Sequence, residues 1–329
     1  MIQTTFVRAT DATVQFDEFD RRIAQSLLED GRRVGKDLYA LVGLSEATIS
    51  RRCGAFDASH AFAVCGFVDP WQCGCDMVAV ARFSVSGSVD DAARAVTPIA
   101  EVHRISWTAN DNALEVLIAV GGAVDLHRVL DAIHAASPQL RHQSTRVLLA
   151  LHQGHDLGSK VPAAPSPLKL RDSVRQRHTD LRLIKLLQRD YRMTFTAIAE
   201  GLGTSIALAG EHTKRIVSSG SIRTIGVYDH GLVGRPLTAN VHISFARQAT
   251  KHAATIAHKL PCNLVMLTSH AEQVTTEISV ENEAEVNAWI ERIRHIGEVR
   301  SIRWDPLMAI YKQTYDWAVP GDTPKSGEP

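Results

Sequence analysis

The feature that most limits what this chain can fold into is a self-similarity at an offset of 160 residues. Asp20, Asp30, Arg32, Gly43, Ser45 and Asp69 fall on Asp180, Asp190, Arg192, Gly203, Ser205 and Asp229. A repeat that long carries a whole set of elements, so both halves are held to the same plan. Each half opens with helical spacing. Ile23, Leu27 and Leu28 follow Asp20, a residue able to cap the first helix, and Leu38, Leu41 and Val42 mark a second, short one. Gly43 then supplies a tight turn, Ser45 is of the type that caps a third helix, and Ile49, Cys53 and Phe56 make its inward stripe. In the second half Leu183, Ile184, Leu186 and Leu187, then Ile198 and Leu202, then Ile216 take these places.

Beyond the helices the period changes from 3.6 to 2 and back again. Met77 to Val85 and Leu237 to Phe245 alternate as strands, and Val89 to Ile99 and Thr250 to Leu260 read as helices. Val102 to Trp107 and Leu264 to Leu267 are the next strands. Leu114 to Val120 and Val274 to Val280 follow as period-two runs. Leu126, Val129, Leu130 and Ile133, matched by Val286, Trp289, Ile290 and Ile293, form the stripe of a helix, and Val147 to Leu151 and Leu307 to Tyr311 close each copy. The order strand, helix, strand, strand, helix, strand is that of a ferredoxin-like unit. The expected fold class is therefore α+β, with two winged helix-turn-helix domains and two ferredoxin-like βαββαβ sandwich domains in tandem.

A turn between two short helices, followed by a helix with a polar outer face, is shaped for the major groove of DNA. In the first copy that face carries Thr48, Ser50, Arg51 and Arg52, with Ser45 at its start and Lys36 placed for a phosphate. The alternative is that Arg51 and Arg52 only solvate the surface, one pairing with Asp57 or Glu46. The third helix of the second copy starts at Ser205 and holds His212, Lys214 and Arg215, but Glu211 stands where Arg51 does, and Ile206 and Leu208 face outward. Either it still grips the DNA backbone, helped by nearby Arg182, Lys185, Arg189 and Arg192, or it has become a protein-contact surface.

Asp20-Arg21-Arg22-Ile23, Asp30-Gly31-Arg32, Val42-Gly43-Leu44-Ser45 and Arg51-Arg52 keep the order and ungapped spacing of the N-terminal domain of the Lrp/AsnC (feast/famine) transcription regulators. Glu101-Val102-His103-Arg104-Ile105-Ser106 also resembles the second strand of their sensing domain. The chain thus resembles two such subunits fused. The resemblance implies a double-stranded DNA partner, sandwich sheets that pair face to face, further homo-oligomerisation, and a small-molecule effector such as an amino acid. In that family the effector site uses a Gly-rich turn. Here the turn falls at Trp107 and near Leu267, whose bulk fills the space, so an altered site would draw on Trp107, Thr108, Asn110, Asp111, Ser269, His270 and Glu272.

Composition sets the remaining limits. The 329 residues, 45% of them hydrophobic, suffice for several domains. Lys plus Arg and Asp plus Glu are both 36, so any basic footprint has to be local. Five cysteines, with Cys53, Cys65, Cys73 and Cys75 in the first half, show no zinc-ligand spacing, and the 15 histidines are scattered. No phosphate-cradling loop or nucleophile elbow occurs, so neither cofactor, metal nor enzymatic activity is expected. Without an apolar run of membrane length or a signal peptide, the expected location is cytoplasmic, with no membrane partner. Paired Lrp-like modules also occur as haem-biosynthesis decarboxylases, a reading for which His103 is the available candidate; a metabolite sensor is the other alternative. The expected division is an N-terminal arm and first helix-turn-helix (1–66), first sandwich (67–152), linker (153–176), second helix-turn-helix (177–226), second sandwich (227–317) and tail (318–329).

Overall fold

The computed structural model describes residues 16–33, 35–59, 62–153, 178–269 and 272–317. The arm before Phe16, most of the expected linker and the tail from Ala318 lie outside them. The first half runs α1 (Glu18–Glu29), α2 (Gly35–Val42), α3 (Glu46–Ser59), β1 (Phe62–Phe67), β2 (Met77–Val85), α4 (Val89–Val96), β3 (Val102–Thr108), β4 (Ala113–Val120), α5 (Ala123–Ala136) and β5 (Leu140–Gln153). The second half repeats this order as α6 (His178–Arg189), α7 (Phe195–Leu202), α8 (Ile206–Ser218), β6 (Arg223–Tyr228), β7 (Leu237–Phe245), α9 (Ala249–Lys259), β8 (Leu264–Thr268), β9 (Gln273–Val280), α10 (Glu283–Arg294) and β10 (Val299–Gln313).

The correspondence reaches individual hydrogen bonds. The Arg22 side chain donates to the Leu41 carbonyl at 2.7 Å and Arg182 donates to the Gly201 carbonyl at 2.9 Å, each 160 residues apart from its counterpart. Ser45 and Ser205 cap α3 and α8 through the backbone N–H groups of Thr48 and Leu208. Gly43 and Gly203 make the preceding turns with φ of 80° and 66°, a region that favours glycine.

The sheets meet differently from the expected face-to-face pairing. Strands in the order β3-β4-β2-β5 and β8-β9-β7-β10 join at both ends, β5 to β8 and β10 to β3, and close one eight-stranded barrel. Strands β5 and β10 are the joints. β5 pairs with β2 over 140–147 and then with β8 over 148–153, and β10 pairs with β7 over 299–306 and then with β3 over 307–313. This is why they are 14 and 15 residues long, where the sequence reading marks only 147–151 and 307–311, in their C-terminal halves. Closure removes the sheet edges that separate sandwiches would leave.

Covering both faces also explains the apolar strands. Every residue of β4 is buried. Ala79, Ala81 and Phe83 face α4 and α5, while Val78 and Val80 join a second cluster that continues through the barrel and both helical units. The second sandwich has its own core around Phe245, Ile278 and Trp289. Strands β1 and β6, absent from the sequence reading, pair antiparallel from Phe62 with Tyr228 to Phe67 with Arg223 and tie the two helical units together. Among the described residues no helix is long and apolar enough to cross a membrane.

Candidate nucleic-acid interface

The first helical unit is built around α3. Helix α1 starts three residues earlier than the sequence suggested: Asp17 is its N-cap, and Asp20 completes a capping box by accepting the Asp17 N–H at 3.1 Å. Ile49 and Phe56 of α3 turn inward. Glu46, Ser50 and Arg51 are exposed, and the Ser45 and Thr48 hydroxyls hydrogen-bond each other at 2.8 Å. The Lys36 and Asp57 side chains lie outside the described residues.

Arg52 is placed otherwise than expected. Its guanidinium donates to Asp17 at 2.8 Å and to Asp20 at 2.6 Å and lies 5.9 Å from the Phe19 ring centroid. Successive residues of a helix point about 100° apart, so Arg51 and Arg52 cannot share one outward direction. The acidic first turn of α1 captures the one nearer to it. Both partners respond: hydrogen bonds with Asp20 and Asp17 raise the Arg52 guanidinium above its ordinary pKa. The Asp20 N–H, with Arg52 helping, lowers the Asp17 carboxyl. Arg51 makes no ion pair among the described residues and is the guanidinium that α3 offers to solvent.

In the second unit Thr194 caps α7 and Ser205 caps α8. Ile206 and Leu208 are 54% and 47% exposed, so α8 does present an apolar stripe at its start. Glu211, Lys214 and Arg215 are exposed, while His212 is half-buried. The cations of α6 are partly engaged, Arg189 with Asp316 at 2.8 Å and Arg182 as a carbonyl donor. Sequence reasoning missed the Arg189 pair because Asp316 lies 127 residues away in the chain.

Of the residues considered for an effector, Trp107, Thr108, Asn110, Asp111 and Glu272 have side chains that are already engaged. Trp107 donates to Asn112 at 3.0 Å, Thr108 to the Ala113 carbonyl at 3.2 Å, and Asp111 pairs with Arg82 at 2.6 Å. Asn110 binds the Trp304 carbonyl and Asp305. Ser269 donates its N–H to Val147, Glu272 accepts the Ala249 N–H, and His270 lies outside the described residues. A cleft of about 100 Å³ lies elsewhere, beside β10 and the turn after β6, lined by Tyr228, Asp229, His230, Thr238, Met308 and Gln313 among others. No cluster of three or more metal-ligating side chains occurs among the described residues. His103 is fully buried, 4.7 Å from the Trp317 ring, and burial pushes its imidazole down to about 3.

Comparison with known proteins places these observations. Residues 176–223 match the family model described as winged helix-turn-helix DNA-binding. The match falls on the second unit, the one whose outer face is partly apolar. The HTH-type transcriptional regulator FL11 of Pyrococcus abyssi is 27% identical over 142 residues, which cover 43% of this chain and 93% of that protein. The crystal structure of the siroheme decarboxylase NirDL superposes over 91% of this chain and 93% of its own, with a TM-score of 0.52 and 14% identity, a likeness of fold. The leucine response regulatory protein LrpA of Mycobacterium tuberculosis is 22% identical, covers 41% of this chain and 93% of its own length, and has a TM-score of 0.37. Winged helix-turn-helix units on an α/β framework put the chain in the class of DNA-binding transcription regulators. In sequence, part of the chain is similar to proteins named HTH-type transcriptional regulators.

Proposed function

We propose that the chain is a fused pseudo-dimer, two Lrp-type modules arising from duplication, that reads an asymmetric operator with two unlike helices. The observation that carries this reading is the barrel closed by β5 and β10, which commits both halves to one body while their DNA-facing helices differ in sequence. The first unit reads bases chiefly through Arg51, with Ser50 beside it and Ser45, Thr48 and Lys36 toward phosphates. The second unit grips the backbone through Lys214 and Arg215, with Ser205 and His212 flanking them. With Lys plus Arg balanced by Asp plus Glu, the electrostatic contribution is modest, so specificity rests on a small number of base contacts. The proposed domain division is the one expected from the sequence, in a cytoplasmic, homo-oligomerising chain, and a small effector remains compatible with it.

The experiment is selection of binding duplexes from a random pool by the full chain, followed by footprinting. A protected site whose two halves differ in sequence supports the reading; a perfect palindrome, or no selected site, refutes it. A second reading, a tetrapyrrole decarboxylase, draws on the full-length likeness of fold to NirDL. Against it, the cleft of about 100 Å³ is small beside the several hundred Å³ typical of cofactor pockets. His103 also turns into the core and not toward that cleft. Titration with an iron porphyrin, followed by Soret absorbance, separates the two readings.

A further inference from the structure

The turn between α1 and α2 is inserted into the second helical unit. A Cβ built on Gly31 would stand 2.7 Å from Thr224 Cγ2 and from Tyr191 Cδ1, so only glycine allows this approach without displacement. The next residue, Arg32, donates from Nη1 to the Tyr191 carbonyl and from Nη2 to the Met193 carbonyl, both at 2.8 Å. Its guanidinium carbon lies 4.8 Å from the Phe195 ring centroid, and its N–H is held by the Asp30 carboxylate at 3.0 Å. A planar fork on two carbonyls with a ring beneath it fixes direction as well as distance. The contact is one-sided. Arg192, the counterpart of Arg32, is exposed, and Gly35 and Gly31 stand where Phe195 and Tyr191 would have to be for a reciprocal clamp.

We infer that Arg32 is a positioning residue for DNA recognition: it fixes the orientation of α3 relative to α8 and so the separation of the two operator halves that the chain accepts. This rests on the proposed reading in which both units contact one duplex. The β1–β6 ribbon and the shared core hold the units together, and the Gly31–Arg32 turn sets the angle between them. Each base pair inserted between half-sites moves one of them by about 3.4 Å and about a tenth of a turn. A fixed angle therefore accepts one spacing, and a loosened one accepts several.

Two measurements on the full chain test this. In a Cys53→Ser background, nitroxides at Ala47→Cys and Ala207→Cys, matching exposed positions on α3 and α8, report the helix separation by pulsed electron paramagnetic resonance. A narrow distance distribution that broadens in Arg32→Ala, and broadens less in Arg32→Lys, supports the clamp; an unchanged distribution overturns it. In the second measurement, duplexes carrying the selected site are lengthened at the centre by one to four base pairs. The unsubstituted chain should lose at least tenfold in affinity on insertion and Arg32→Ala less than threefold, with equal affinity for the original duplex. Equal discrimination by both overturns the role. If no duplex is bound, the DNA reading itself fails, and the distance measurement alone judges the clamp. Should Arg32→Ala not fold, Phe195→Leu removes the ring beneath the guanidinium and gives the same readouts.

Discussion

Arg52 and Asp20 are joined by a 2.6 Å ion pair that anchors α3 to the first turn of α1. Asp17 completes the contact at 2.8 Å, so a side chain on the helix proposed to face DNA is held by its own unit. The two adjacent arginines should therefore separate by experiment. Arg51→Ala is expected to weaken specific DNA binding by about 1–3 kcal/mol if it reads a base, or to lower the salt slope by about one if it meets a phosphate, with little change in stability. Arg52→Ala should lower the melting temperature, at a cost of about 1 kcal/mol for a partly exposed pair. Salt-series titrations and thermal melts of both variants check this, and equal loss of binding in the two would show that Arg52 leaves its carboxylates to reach DNA.

Two buried imidazoles make stability depend on pH. Burial, with Lys312 adding to it, pushes His103 down to about 3, and burial followed by Arg223 pushes His152 down to about 4. In the unfolded chain both titrate near about 6.5. Below that pH the unfolded state binds protons that the folded state refuses. The stabilisation is thus complete above about 6.5 and is lost as pH falls toward the folded values, at up to about 1.4 kcal/mol per pH unit for each histidine. Urea midpoints between pH 4.5 and 7.5 should show this slope, and His103→Leu should remove about half of it.

How much of this was legible in the sequence follows from how local each cause is. Helices and turns announced themselves through Gly43, Gly203, Ser45 and Ser205, whose work is done within four residues. The capture of Arg52 was not legible, because Asp17 sits 35 residues away in the chain and only the packing of α1 on α3 brings them together. The same holds for Arg32, whose acceptors lie 159 and 161 residues on. Strands β5 and β10 were seen only in their C-terminal halves, over 147–151 and 307–311. The stretches missed, 140–146 and 299–306, pair within their own half, with β2 and β7, and there residues such as Arg141, Ser144 and Arg303 break the alternation that marks a strand covered on one face. Strands β1 and β6 are short, interrupted by Gly66 and Gly226, and find partners only in each other.

The barrel interior carries a further consequence of closure. Glu115 accepts hydrogen bonds at 2.9 Å from Arg82 and Arg146 of its own half and from Asn240 of the other. Glu115 and Arg82 are buried, so truncating the carboxylate would leave guanidinium groups with too few acceptors in a poorly solvated place. Glu115→Ala should therefore cost about 3–5 kcal/mol, and Glu115→Gln, which keeps an acceptor and the shape, distinctly less. Guanidinium chloride denaturation decides the matter; a loss under about 1 kcal/mol for the alanine variant would mean that water satisfies the arginines instead.

Trp317 ends the described chain in a fully buried site. Its indole N–H donates to the Val68 carbonyl at 2.6 Å, and its ring meets Phe67 and His103 edge-on. The residues leading to it bind the second helical unit: Gln188 of α6 donates to the Tyr315 carbonyl at 2.7 Å, and Arg189 pairs with Asp316 at 2.8 Å. The segment after β10 therefore stitches α6 to the exit of β1, two places that share no strand. Removing a large buried aromatic side chain leaves a cavity and an unused carbonyl, so Trp317→Ala is expected to cost about 3–5 kcal/mol. Because the stitch joins separate units, the loss should also be local. Hydrogen exchange in Trp317→Ala should speed up in β1 and α6 before it does in β9, whose apolar residues belong to a separate core. Uniformly faster exchange across the chain would mean that the segment supports the fold as a whole and not the junction.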